Sequence, residues 1–143
     1  MKMNVLLLSY QSSADDPEIG KHGPAEHGNY FALDKAWPAW REDFGSASLL
    51  WSPDDDADPY QRLDDLIYFH PEINTVVAFG REVAYVAGLP RKSEFWSWYR
   101  AAVNGRLITV VVIPDPTPRN RLINDESFIP RLRTTFARCK EST

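Results

Sequence analysis

The sequence predicts an α/β domain, specifically a three-layer α/β/α sandwich around a mainly parallel central sheet of about four strands. Three observations carry that reading. Short runs rich in aliphatic and β-branched residues recur at Asn4 to Tyr10 (NVLLLSY), Thr75 to Phe79 (TVVAF) and Leu107 to Ile113 (LITVVVI). Such continuous apolar runs mark strands covered on both faces, because a half-exposed strand would alternate apolar with polar. Gly80 then leads directly from a strand into a helix-like segment, and strand and helix patterns alternate along the chain, which is the order of a parallel sheet crossed over by helices.

Taken in order, NVLLLSY is the first buried strand. It is followed by a polar stretch from Gln11 to Asn29, rich in Gly, Pro and acids, too long for a simple turn and therefore read as either an active-site loop or a partly disordered segment. From Tyr30 to Phe44, Leu33, Trp37, Trp40 and Phe44 recur at helical spacing, with Pro38 bound to start or bend the helix. Ser46 to Trp51 (SASLLW) is a short strand that breaks at an acidic turn. Asp58 as N-cap and Pro59 at the first helical position open a helix to about His70 that buries Leu63, Leu66 and Ile67. TVVAF, Gly80 and a short helix from Arg81 to Ala87, closed by Gly88, follow. Phe95 to Ala102 (FWSWYRAA) reads as a helical turn or an irregular aromatic patch, ahead of the strand Leu107 to Ile113. A last helix from about Ser127 to Lys140 sets Ile129, Leu132, Phe136 and Cys139 on one face.

The 143 residues fit a single domain, spanning 1–143, with enough length to bury a core. One cysteine, Cys139, excludes an internal disulfide framework and a multi-cysteine metal site. No apolar run is long enough for a membrane span and no signal-like apolar segment opens the chain, so the expected setting is cytoplasmic, with no membrane partner. The net charge of −4 argues against non-specific coating of nucleic acid. Charge is uneven, however. Residues 115–143 carry six Lys or Arg against four Asp or Glu, whereas residues 1–114 carry ten against sixteen, so a polyanion contact should involve the tail. His22 and His27 match no compact metal pattern, and the acidic run Ser52 to Asp58 lacks the glycine and distal glutamate of a calcium loop. Neither a metal nor a cofactor is implied.

In such a domain, loops beyond the carboxyl ends of the strands converge on a ligand cleft, here the loops after Tyr10, Trp51, Phe79 and Ile113. The order VVAFGREVAYVAGLP, an aromatic segment, then a strand ending in IPDPTPRNRLIND resembles the C-terminal half of the uracil-DNA glycosylase superfamily. In that family a strand, a glycine and a helix precede a strand ending in a His-Pro-Ser loop. The first strand with Gln11 to Pro17 takes the place of the family's water-activating loop, HGNYFAL (His27 to Leu33) resembles its base-stacking segment, and SASLLW resembles the strand bearing a base-reading asparagine.

The resemblance implies hydrolysis of an N-glycosidic bond, with Asp15 or Asp16 directing water and Tyr30 or Phe31 stacking on a flipped base. It further implies that Gln11, Ser48 and Asp115 contact the base, while Thr117, Arg119, Asn120 and Arg121 hold the DNA backbone. Asp115 stands where the family has its loop histidine, and Ser48 where it has the asparagine. An ionised carboxylate would repel a departing base anion by on the order of 4 kcal/mol at about 4 Å, roughly three decades of rate. Three readings remain open: Asp115 is protonated and donates a hydrogen bond, the base is one whose donor suits an Asp acceptor, or excision is lost. The function implied is thus a DNA glycosylase acting on a modified or damaged base. The alternative is an inactive module of that fold binding nucleic acid (single-stranded or with a flipped base), a nucleotide or a protein partner.

Overall fold

The computed structural model describes residues 4–11, 31–50, 56–116 and 121–141. Within them Val5–Gln11 (β1), Gly45–Leu50 (β2), Thr75–Phe79 (β3), Trp98–Val103 (β4) and Arg106–Ile113 (β5) join into one sheet in the order β2-β1-β3-β5-β4. The first four strands in that order run parallel, with Leu8 beside Ala47 and Ala78, and Val77 beside Val111. β3 is buried along its whole length, as its unbroken apolar run requires.

The fifth strand corrects the sequence reading, which placed a helical turn or irregular patch at Phe95 to Ala102 and counted about four strands. Trp98–Val103 instead runs antiparallel to β5, with Val103 paired to Arg106. Asn104 and Gly105, at φ 50° and 74°, make the two-residue turn between them. An Asn-Gly pair suits this turn because both central residues need positive φ, and its backbone twist matches that of the flanking strands. The sequence carried that signal, hidden behind an aromatic run that reads equally as helix or strand.

Helices cover both faces. Pro59–Phe69 (α3) and Arg81–Val86 (α4) send Leu63, Leu66, Ile67, Val83 and Ala84 against Leu6, Leu8, Val76 and Val110. The start of α3 is as expected: Asp58 accepts a hydrogen bond from the Tyr60 N–H at 2.9 Å and Pro59 takes the first helical position. The other face is covered by Phe31–Ala36 (α1), Trp40–Asp43 (α2) and Phe128–Glu141 (α5), which pack Leu33, Trp40, Leu132, Phe136 and Cys139 on Leu7, Val77 and Val111. The single helix expected from Tyr30 to Phe44 is thus two, parted around Pro38, whose ring forbids the continuing turn. Among the described residues no helix is long and apolar enough to cross a membrane.

Candidate functional site

The strand order builds the site. The chain leaves β1 for β2 on one side and returns to β3 on the other, so the helices after β1 and β3 diverge and leave a crevice at the carboxyl ends of these two strands. A cleft of about 380 Å³ opens there on the α3/α4 face. Its wall combines Tyr10 near the end of β1, Tyr60 in the first turn of α3, Arg81, Glu82 and Tyr85 on α4, and Arg91 beyond it.

Backbone geometry aims these side chains. Gly80 at φ 98° turns the chain sharply from β3 into α4, a conformation that side-chain-bearing residues rarely adopt, and its N–H is held by the Ile113 carbonyl at 2.9 Å. Gly88, at φ 99°, ends α4 and turns the chain towards Arg91. The two guanidinium groups are held against rings. Arg81 lies 4.0 Å from the Phe95 ring centre while its Nε donates to the Ser93 carbonyl at 2.8 Å, and Arg91 lies 3.9 Å from the Tyr85 ring centre. Cation–π contacts of this kind fix a long side chain without neutralising its charge. Tyr60 is 48 % exposed, so its ring is open to a ligand. Three tyrosines, two arginines and one carboxylate suit a flat aromatic ligand carrying an anionic group, with Glu82 available to accept from an exocyclic amine.

The sequence-derived site residues are distributed around this edge. Gln11 closes β1 and is paired with Leu50 at the end of β2. Ser48 lies one strand from β1, where its Oγ shares a 2.6 Å hydrogen bond with Ser9 Oγ, both residues being buried. Phe31 opens α1 and Arg121 opens the 3-10 turn Arg121–Asn124. Asp115 follows β5 between Pro114 and Pro116, both buried, and is itself half-buried with its Oδ1 enclosed. β2 and β5 are separated by β1 and β3, and three strand spacings set their ends about 14 Å apart. Ser48 and β5 therefore belong to opposite sides of the crevice. Asp15, Asp16, Tyr30, Thr117, Arg119 and Asn120 lie outside the described residues, as do His22 and His27. Among the described residues no group of three or more His, Cys, Asp or Glu side chains is clustered to hold a metal ion.

Sequence reasoning missed Tyr10, Tyr60, Arg81, Tyr85 and Arg91 as a group. One signal was present: in a helix that follows a strand and a glycine, the exposed residues of the first turn face the carboxyl edge, and here these are Arg81 and Glu82. No protein-family model matches this chain, and no curated protein matches it.

Proposed function

We propose that this chain recognises a nucleobase, in DNA or as a nucleotide, at the carboxyl edge of a uracil-DNA-glycosylase-like domain. The observation that supports the reading best is the cleft between β1 and β3, where tyrosine rings and ring-held arginines stand together at the topological switch point. A base would stack on tyrosine while a guanidinium pairs with the phosphate.

Asp115 favours a second, hydrolytic reading. It stands on a stiff Pro-Asp-Pro segment directly beyond a central strand, with one carboxylate oxygen enclosed. In that reaction water adds to C1′ of the sugar, the glycosidic C–N bond breaks, and the base departs with the bonding pair. A protonated Asp115 would stabilise the departing anion by donating a hydrogen bond, and Asp15 or Asp16 would take the proton from water.

Titration with nucleoside monophosphates, followed by tyrosine and tryptophan fluorescence, tests the binding reading. Tyr60→Ala should weaken binding by about 1 to 3 kcal/mol, roughly five- to 150-fold, the range for loss of one stacking ring. Unchanged affinity in both Tyr60→Ala and Arg91→Ala would remove the cleft from consideration. Incubation with oligonucleotides containing uracil, deaminated purines or 5-modified pyrimidines, then alkaline cleavage of abasic sites, tests hydrolysis. Strand breaks that vanish in Asp115→Asn would establish it, and their absence from every substrate would leave binding alone.

A further inference from the structure

A second, longer depression lies on the opposite face of the sheet, between β4 and α5. Three hollows of about 210, 330 and 310 Å³ follow one another there. Trp96 and Arg131 line both the first and the second, and Trp98 and Arg138 line both the second and the third. The result is one continuous groove. It starts at Pro114, one residue from Asp115, and ends beside Arg100 on the edge strand.

Its wall is cationic and aromatic. Arg131 and Arg138 are seven residues apart on α5, which puts them on one side of the helix about 10 Å apart along its axis. Arg138 lies 4.0 Å from the Trp98 ring centre, and Trp96 packs edge-on against Phe128 at 5.5 Å, in a backbone conformation of φ 70° that holds it in the wall. Arg100 is exposed and makes no salt bridge with the described residues. Among the described residues lining the groove one is acidic, Asp125, which lies at its Pro114 end and accepts hydrogen bonds from the Ser127 N–H and Oγ, both at 2.8 Å. On a chain of net charge −4, a track of three arginines interleaved with tryptophan is a local reversal of sign. Its complement is a flexible polyanion with flat rings.

We infer that the β4/α5 groove carries a single strand of nucleic acid, its phosphates against Arg131, Arg138 and Arg100, its bases on Trp96 and Trp98, and its path leading to the Asp115 loop. The inference rests on the nucleobase reading and narrows the partner from nucleotide to polynucleotide. Non-specific single-strand binding elsewhere uses the same two parts, a basic track and stacking rings.

The test is fluorescence anisotropy of a labelled thymidine homopolymer of about 20 nucleotides, from roughly 50 to 200 mM salt, with nucleoside monophosphate binding measured in parallel. Arg100→Gln, Arg131→Gln and Arg138→Gln together should weaken oligomer binding about tenfold or more and lower the log–log salt slope by about 2, at about 0.7 per phosphate contact. Monophosphate affinity should not change. Arg100→Gln alone, on an exposed strand edge, should lower the slope by about 0.7 with an unchanged melting curve, which separates charge loss from misfolding. An unchanged slope in the combined variant, no oligomer binding at the lowest salt, or tighter arginine-dependent binding of polyglutamate would overturn the inference, the last in favour of an acidic protein. Unchanged monophosphate affinity in both Tyr60→Ala and Arg91→Ala, with arginine-dependent oligomer binding intact, would sink the cleft reading and leave the groove standing.

Discussion

The two faces of the sheet are closed by different materials. On the α3/α4 side the contacts are aliphatic, from Leu63, Leu66, Ile67 and Val83 onto Leu8, Val76 and Val110. On the α1/α2/α5 side they are largely aromatic: Trp40, Phe44, Phe128 and Phe136, with Trp37, Trp96 and Trp98 at the margin. Aliphatic residues fill their face without polar atoms, whereas each indole brings an N–H that must be satisfied. Here Trp37 donates to Asp43 at 2.8 Å and Trp40 to Asp34 at 2.9 Å, and Asp43 in turn accepts from Lys140 of α5 at 3.0 Å. α1 has six residues and α2 four, too few to hold a helix unaided. The aromatic face is therefore built of short helices, α1 tied to α2 through Asp34 and α2 stapled to α5 through Asp43. Among the described residues it leaves the strip beside β4 uncovered, where Leu107 is 60 % exposed and the arginine groove runs.

The largest difference between the faces should appear on truncation. Phe136 is fully buried and lies 5.3 Å from the Phe44 ring and 6.5 Å from that of Trp37. Phe136→Ala should cost about 3 to 5 kcal/mol, and Leu63→Ala, on the aliphatic face, about 2 to 5. Urea denaturation should show Phe136→Ala as the more damaging, because it also releases two neighbouring rings. The reverse order would mean that the aliphatic face supports the fold and the aromatic one merely covers it.

A smaller effect isolates the staples. Asp43→Asn removes the charge that serves both the Trp37 indole and the Lys140 ammonium, and should cost about 1 kcal/mol or somewhat more. Glu82→Gln, exposed on the opposite face, should fall within about 0.5 kcal/mol of no change. Equal effects at the two positions would break the distinction. A pH series sharpens it. Hydrogen bonding from Trp40 and Trp37 respectively, aided by the cations Arg41 and Lys140, holds the Asp34 and Asp43 carboxyls below the usual 3.8. A carboxyl whose folded pKa is depressed adds stability above the unfolded value, and that stability is lost as pH falls through the folded one. Acid should therefore loosen the aromatic face first, below about pH 4, visible as tryptophan emission changing before far-UV circular dichroism.

The same contrast explains what could be read from the amino acids. β1, β3, α3 and α5 were legible because their chemistry is local: unbroken apolar runs, an Asp-Pro start, one apolar stripe. The split at Pro38 was signalled, though its outcome depends on how Trp37 and Trp40 find Asp43 and Asp34, which is tertiary. β4 was missed since WSWYRAAV has no period that favours strand over helix until Asn104-Gly105 is read as its turn. For the site, strand order pointed to the carboxyl edge, whereas Asp115 was singled out only by the family resemblance. The cleft was legible in neither, because Tyr10, Tyr60 and Arg91 come from three separated segments that only the β1/β3 crevice assembles.

Cys139 provides the finest probe of how tightly the aromatic face is shut. It lies near the end of α5, fully buried, and removal from water pushes its thiol up to about 12, with Arg138 acting weakly in the opposite direction. The thiolate, and not the thiol, attacks electrophilic reagents. At pH 8 the folded protein should leave a disulfide reagent almost unreacted over the time in which the urea-unfolded chain consumes one equivalent. Because the folded pKa is raised, the neutral thiol's contribution to stability is complete below the ordinary 9.0 and declines between there and about 12. Labelling should accordingly be governed by opening of the α5 end and not by ionisation in place. Lys140 anchors that end to Asp43, so Asp43→Asn should speed labelling at pH 8, while Leu63→Ala should speed it only as far as it lowers global stability. If both variants label at rates set by their melting points alone, α5 opens only with the whole domain, and the carboxylate staples contribute no local closure.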